Sequence, residues 1–357
     1  MVSGSAGDGS RQERIMEKQQ VSLSFCIPVY NAEQYLEQCL SSVTGQEMED
    51  YEVLCVDDCS TDSSPEILRR FAKKYPQVRV VRNEENHGVS WTRNRMIQEA
   101  QGEYIWFVDA DDLVIPGSAS LYVATAKRLK ADAVFGKCVV FWGDEVPGTE
   151  TTGTNAVAPA DFKHPADYYP RTQFGTISYG IWNSVFRREY LLEKGFRFRE
   201  DFRNMEDLVF YFELGRKIQN AFRIDHYGYF YRVREGSASH GSEQNRRHYE
   251  SSVRFLPVID KALRDSEIDY RDSILAHRIE RQEAAASYLC RCSDTGFVRA
   301  ELKKMKDSGW YPYRHDSSIE YYTRSRKKKI LANYLLPFEP TFWILHFYYR
   351  HQGGSGK

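Results

Sequence analysis

From residue 21 to residue 141 the chain repeats one pattern: an apolar run, a polar break, then apolar residues at helical spacing. The first run covers residues 21–27 and is closed by Pro28; the others cover 51–56, 78–82 and 104–108. Between the first two, Tyr35, Leu36, Cys39, Leu40 and Val43 recur on one helical face until Gly45. Ser64 before Pro65 and Glu66 opens a second helix, with Pro where its missing N–H costs nothing, carrying Ile67, Leu68, Phe71 and Ala72. A third helix is predicted from about Val89 to Gln101. Short right-handed crossovers turn such strand–helix rounds into a parallel, doubly wound sheet. The expected fold is therefore α/β, a mostly parallel sheet with helices on both faces.

Ligands of such sheets bind outside the carboxyl ends of the strands. The polar residues gather there: Pro28, Tyr30 and Asn31 after the first run, Asp57 and Asp58 after the second, Gly88 after the third, Asp109 to Asp112 after the fourth. The fourth run has large apolar residues from Tyr104 to Val108, bounded by Gly102 before and Pro116 and Gly117 after, and ends in Asp109-Ala110-Asp111-Asp112. It reads as a strand buried on both faces that stops in acid. On an extended backbone Asp109 and Asp111 point to the same side and could converge on one hard cation, with the chain turning away at Asp112. The alternative is a solvated turn after a core strand. Neither a Gly-x-Gly-x-x-Gly turn nor a Gly-Lys-Ser/Thr loop is present, so a nucleotide here would be held by carboxylates and a metal.

Further along, residues 134–142 read as another strand and 143–160 as a loop. Trp182, in the stretch 175–188, reads as a core residue. Glu206 and Asp207 open a helix carrying Leu208, Phe212 and Leu214, where acidic residues favour the helix dipole. Residues 246–325 are helical in pattern, with Val253, Phe255, Leu256, Ile259 and Leu263 on one face. Then a basic cluster at 324–329 precedes an aromatic stretch to Arg350 that is too short to span a bilayer. The expected organisation is a disordered, Gly/Ser-rich tail over 1–18, a ligand-binding half over 19–141, a second half over 142–245, a helical appendage over 246–323, and a basic, aromatic amphipathic tail over 324–352.

Composition narrows the partners. A net charge of -1 over 357 residues gives no footprint for nucleic acid. With 24 Tyr and 20 Phe the chain is aromatic-rich, which suits carbohydrate, membrane-interface or partner contacts as well as a large core. The seven cysteines fall mostly in apolar runs without zinc spacing, so a reducing, cytoplasmic setting is expected. Residues 1–20 have no apolar core of a secretory signal. The basic and aromatic tail suits a peripheral anchor on anionic lipid, at the inner face of the cytoplasmic membrane; a helix packed on the body or a homo-oligomer contact is the alternative.

Four motifs, in this order and spacing, carry a resemblance: Ile27-Pro28-Val29-Tyr30-Asn31, Val56-Asp57-Asp58-Cys59-Ser60-Thr61-Asp62, Asn86-His87-Gly88-Val89-Ser90-Trp91-Thr92-Arg93-Asn94, and Val108-Asp109-Ala110-Asp111-Asp112. On them, residues 21 to about 140 resemble the catalytic core of inverting, family 2 nucleotide-sugar glycosyltransferases, which have the GT-A (Rossmann-like) fold.

The resemblance implies roles. Pro28, Tyr30 and Asn31 would line the base and ribose, and Asp58, rather than Asp57, would accept the uracil imide hydrogen. Arg93 and Asn94 begin a helix whose N-terminus faces the strand ends, where Arg93 could reach base, ribose or phosphate. Asp109, Ala110 and Asp111 form the DXD motif, with Asp111 the better direct ligand of Mn²⁺ or Mg²⁺ and Asp109 beside it. Asp207 is implied as the general base and Glu206 as its orienter or an acceptor contact. Arg232 and Ser237 would lie near the diphosphate, and His240 is a further metal candidate, or else a loop histidine. The implied reaction moves a sugar from a UDP-sugar to a hydroxyl of a glycan or lipid-linked oligosaccharide. A nucleotidyltransferase, or a catalytically silent scaffold of the same fold, is the competing reading; the former would want a Gly-rich basic loop where this chain has Pro28-Val29-Tyr30-Asn31. A processive synthase is disfavoured for want of a Gln-x-x-Arg-Trp motif and spanning helices.

Overall fold

The computed structural model describes residues 21–148, 154–159, 180–233, 242–265, 271–313 and 336–352. Its first half follows the predicted rounds: β1 (Leu23–Val29), α1 (Leu36–Thr44), β2 (Tyr51–Asp57), α2 (Ser64–Lys74), β3 (Val78–Arg82), α3 (Val89–Glu99) and β4 (Tyr104–Phe107). β2 and β4 flank β1 and β3 flanks β2, all parallel. β1 runs through Pro28 instead of stopping before it. The imide is tolerated because β4 pairs with β1 only as far as Cys26, so no ladder partner on that side is left waiting for an N–H.

The sheet then changes character. After the short β5 (Leu113–Val114) and α4 (Ser118–Leu129) come β6 (Ala133–Trp142), β7 (Val157–Pro159), β8 (Ser184–Arg187), α5 (Arg188–Glu193), α6 (Glu206–Gly215) and β9 (Ala221–Val233). β8 inserts antiparallel between β4 and β6, β6 and β9 are parallel, and the order is β3-β2-β1-β4-β8-β6-β9-β5 with β7 paired to β9. β6 therefore runs in the direction of β4, and its carboxyl end rises on the same edge of the sheet.

Two apolar layers sandwich the sheet. Phe25, Val53, Trp106 and Tyr122 pack on one face, and Cys26, Leu54, Phe107, Phe186 and Phe210 on the other. A separate cluster around Tyr249, Leu289, Val298 and Phe342 joins α7 (Ser242–Arg264), α8 (Arg271–Cys290), α9 (Thr295–Asp307) and α10 (Glu339–Gln352). The tail helix α10 is thus packed on the helical region through Phe342 and His346, while Phe338, Ile344, Phe347 and Tyr348 stay exposed. Residues 324–335, with the basic cluster, lie outside the described residues, as do Ser237 and His240.

Candidate active site

A cavity of about 680 Å³ opens at the carboxyl ends of β1, β2 and β4, lined among others by Pro28, Tyr30, Asn31, Asp58, Arg93, Asp109, Ala110, Asp111 and Glu206. Asn94, Asp207 and Arg232 are not on its wall.

On one side the β1 end is fastened to the loop after β2. Asn31 sits at φ 48°, a left-handed conformation that Asn tolerates, and its Oδ1 accepts from the Thr61 N–H at 2.8 Å. Its own N–H donates to Ser60 Oγ at 3.0 Å. That fixes Tyr30 at the rim, half exposed, with its ring available as a stacking surface. Asp57 turns away from the cavity to pair with Arg82 at 2.7 Å. Asp58 is 3% exposed and accepts from Asn83 Nδ2 (2.6 Å), the His87 N–H (3.0 Å) and the Gly88 N–H (2.7 Å). It therefore shapes the loop before α3, and of about four acceptor positions on a carboxylate one remains for a ligand.

On the other side, Asp109 to Asp112 is not extended. The Asp112 N–H donates to the Asp109 carbonyl at 3.0 Å, closing a tight turn, so the common direction of Asp109 and Asp111 does not come from strand alternation. Asp112 is buried and takes the Tyr229 hydroxyl (3.0 Å) and the Arg232 N–H (2.7 Å). Burial pushes its carboxyl well above the usual range, with Asp109 and Asp111 adding to the effect. Tyr229 Oη also accepts from the Asp109 N–H at 3.0 Å. Arg232, expected beside the diphosphate, sits one layer behind the turn. Its guanidinium donates to the carbonyls of Asp111 (2.9 Å) and Gly143 (2.6 Å) and to Gln38 Oε1 (2.6 Å), and lies over the rings of Tyr35 and Phe141. It holds the turn rather than facing the cavity.

The two sides and the α6 helix meet at Arg93. Its guanidinium, 3% exposed, donates to Asp109 Oδ1 (2.8 Å), Asp207 Oδ1 (2.6 Å) and Glu206 Oε1 (3.2 Å). Its Nε is buried without a hydrogen-bond partner among the described residues. One cation against three carboxylates leaves an excess of negative charge in a poorly hydrated place. Burial pushes Asp207 up to about 7; Arg93 opposes the rise, and Glu206 and Asp109 add to it. The second Asp207 oxygen accepts the Ile181 N–H at 3.1 Å, from a single 3₁₀ turn at Ile181–Asn183. Trp182 in that turn belongs to the core, stacked on Tyr229 (4.7 Å) and Tyr231 (5.0 Å). Asn94 clamps the segment before α6, exchanging hydrogen bonds with the Phe198 backbone at 2.9 and 2.8 Å.

The donor set suits a divalent cation that arrives with phosphate. Asp109 and Asp111 supply hard oxygens on one wall, and no group of three His, Cys, Asp or Glu among the described residues forms a closed cage. Mg²⁺-type sites commonly use one or two carboxylates and take their remaining ligands from substrate phosphates and water.

A parallel half-sheet interrupted by an antiparallel strand, with an acidic turn at the carboxyl edge of its central strands, defines a GT-A type fold. Residues 24–196, just under half of the chain, match the family described as glycosyl transferase family 2. It is 34% identical over 218 residues to the poly(ribitol-phosphate) beta-glucosyltransferase of Bacillus spizizenii, covering 60% of this chain and 32% of the relative. It is 26% identical over 266 residues to the GalNAc(5)-diNAcBac-PP-undecaprenol beta-1,3-glucosyltransferase of Campylobacter jejuni, covering 71% and 80%. Among solved structures, S. aureus TarS 1-349 in complex with UDP-GlcNAc superposes with a TM-score of 0.57 at 20% identity, over 83% of this chain and 94% of TarS 1-349. The chain spans 32%, 55% and 62% of the length of three curated relatives that are 30% or more identical to it.

Proposed function

We propose that this protein transfers a sugar from a UDP-linked donor to a hydroxyl of a glycan or lipid-linked oligosaccharide, in one displacement with inversion. The observation that carries the reading is the Arg93 cluster, which ties the acidic turn of the cavity to Glu206 and Asp207 on α6. Tyr30 and Asp58 face the space for the base and Asp109 and Asp111 that for the diphosphate. Asp207 removes the acceptor hydroxyl proton as the new C–O bond forms at the anomeric carbon. The bond to the diphosphate breaks on the opposite face, and UDP leaves with the electron pair. Glu206, on the cavity wall, orients the acceptor. A Mn²⁺ or Mg²⁺ ion held by Asp111 and Asp109 would supply the charge that stabilises the departing diphosphate. The UDP preference is supported by the fold likeness to TarS, solved with UDP-GlcNAc, and the acceptor class by relatives that glycosylate poly(ribitol phosphate) and an undecaprenol-linked glycan.

Calorimetry with UDP, GDP and CDP, in Mn²⁺, Mg²⁺ or chelator, tests the donor site. UDP is expected to bind in a metal-dependent way, and Asp111→Ala to weaken it by about ten-fold or more, the worth of a charge-assisted contact. Failure of every nucleotide would leave the silent-scaffold reading in its place. A nucleotidyltransferase is disfavoured because the β1 end meets the cavity with Pro28 and Tyr30 in place of a Gly-rich basic loop.

We infer that the protein also works at a membrane surface. No helix among the described residues is long and apolar enough to cross a membrane. Phe338, Ile344, Phe347 and Tyr348 are exposed on or beside α10, shortly after the Arg324–Lys329 basic cluster in sequence. Aromatic and basic groups together favour anionic interfaces. The protein is expected to co-sediment with phosphatidylglycerol vesicles but not with phosphatidylcholine vesicles, and Ile344→Asp with Phe347→Asp to release it. Equal recovery with both lipids would remove the membrane role.

A further inference from the structure

The aromatic residues that pack against the acidic turn do not end there. β6 and β9 run side by side in register, with Cys138 opposite Tyr229, Val140 opposite Tyr231 and Trp142 opposite Val233. Alternate residues of a strand share a face, so these six form one row. At its foot Tyr229 is fully buried and hydrogen-bonded to Asp109 and Asp112. Tyr231 comes next, partly exposed and stacked with Tyr229 against Trp182. Above it Val140 is 43% and Trp142 71% exposed. Four residues of strand separate foot from tip, about 13 Å at 3.3 Å per residue.

The tip is fixed to the turn as well. Arg232 joins the Gly143 carbonyl, next to Trp142, to the Asp111 carbonyl at 2.6 and 2.9 Å. Tyr231 feels the same carboxylates: burial pushes its hydroxyl up to about 12, and Asp112, Asp109 and Asp111 contribute. An apolar, aromatic ramp that begins against the acidic turn, outside the cavity wall, and climbs into solvent towards the carboxyl ends of β6 and β9 has a chemistry of its own. Flat indole and phenol faces match the C–H-bearing face of a pyranose, while the ring hydroxyls remain in water.

We propose that the Tyr231, Val140 and Trp142 row is the acceptor track, on which the sugars of a growing glycan stack as its terminal hydroxyl reaches Asp207. The row is long enough for more than one pyranose ring. This rests on the glycosyltransferase reading of the same site, and its continuity with the Asp109–Asp112 turn selects a carbohydrate over lipid or a second copy of the chain.

The test uses the full chain with three probes, chitotetraose, cellotetraose and maltotetraose, read by saturation-transfer NMR and by calorimetry in the presence of UDP. At least one is expected to bind the wild type, and Trp142→Ala to weaken it by about ten-fold, while Trp142→Phe keeps most of the affinity. An unchanged thermal midpoint and unchanged UDP binding in Trp142→Ala would show that the fold is intact. Equal affinity of wild type and Trp142→Ala, or no binding of any probe by the wild type, overturns the proposal. So does Trp142→Ala dissociating a dimer in sedimentation, or abolishing vesicle binding, since the row would then be a subunit or lipid contact. If UDP also fails to bind the wild type, the donor site itself has failed; if UDP binds and the tetrasaccharides do not, only the track has.

Discussion

Asp207→Asn is expected to lower turnover by about 10³-fold while leaving UDP binding intact, because it removes a proton acceptor and not a donor-site contact. Single-turnover rates beside UDP calorimetry check this. Asp207 is raised to about 7 by burial, with Glu206 and Asp109 adding and Arg93 opposing, and only its ionised form can take a proton. Wild-type kcat should therefore rise with pH through about 7 and level off above it, and the Asn variant should lose that limb. Stability runs the other way. An acid whose folded-state pKa exceeds its unfolded value binds its proton more tightly when folded, so its contribution falls as pH climbs from the ordinary carboxylate range towards 7 and is flat beyond. At pH 8 the Asn variant should melt no lower than the wild type, the pattern expected when charge is crowded for function. Glu206→Gln is the control. Glu206 lies on the cavity wall and Asp207 one step behind it, so a larger turnover loss in Glu206→Gln than in Asp207→Asn would exchange their roles.

Much of this site is readable along the chain because its parts sit at strand ends. The Ile27–Asn31, Asp57–Asp58 and Asp109–Asp112 segments each follow an apolar run, and a parallel sheet aligns such ends on one edge. What periodicity cannot carry is which side chains meet across the fold. Arg93 and Asp207 are 114 positions apart, and Asp112 and Arg232 are 120 apart. Arg93 reads as a donor contact and Arg232 as a phosphate ligand; the first does line the cavity but also gathers three carboxylates, and the second braces a turn behind it. The Asp109–Asp112 backbone was hidden for a local reason: an apolar run gives no sign of where extension stops, and Asp112 leaves it by satisfying its N–H on Asp109. Asn94 looks like a ligand from its place at a helix start, yet its amide is used on Phe198. The acidic Glu206-Asp207 pair is visible, as is the strand over 134–142, but the exposure of Trp142 at its end is not. Their relation to the turn depends on the insertion of β8, which no short-range pattern announces.

Arg93→Met should be the most damaging single change in the site. It leaves Asp109, Glu206 and Asp207 facing one another with no cation between them, and removing one partner from a buried ion cluster costs about 3–5 kcal/mol. These carboxylates keep some contact with solvent, their side chains being 28%, 15% and 19% exposed, so the lower end, about 3 kcal/mol, is expected in urea unfolding at pH 8. The penalty should shrink as pH falls towards 7 and level off below it, because without Arg93 the Asp207 carboxyl takes up its proton at a higher pH than in the wild type and so sheds part of the repulsion. Arg93 opposes the rise in the Asp207 pKa, so without it the rising limb of kcat must move to higher pH. Arg93→Lys separates charge from geometry. An ammonium can neutralise one neighbour but cannot span three carboxylates as the planar guanidinium does. Lys should therefore recover part of the stability while leaving α6 loosely tied to the Asp109 turn, with kcat still depressed. Wild-type stability and an unmoved pH limb in Arg93→Met would mean that the cluster neither holds the site together nor sets its proton affinity, and the assignment of Asp207 as base would lose its physical support.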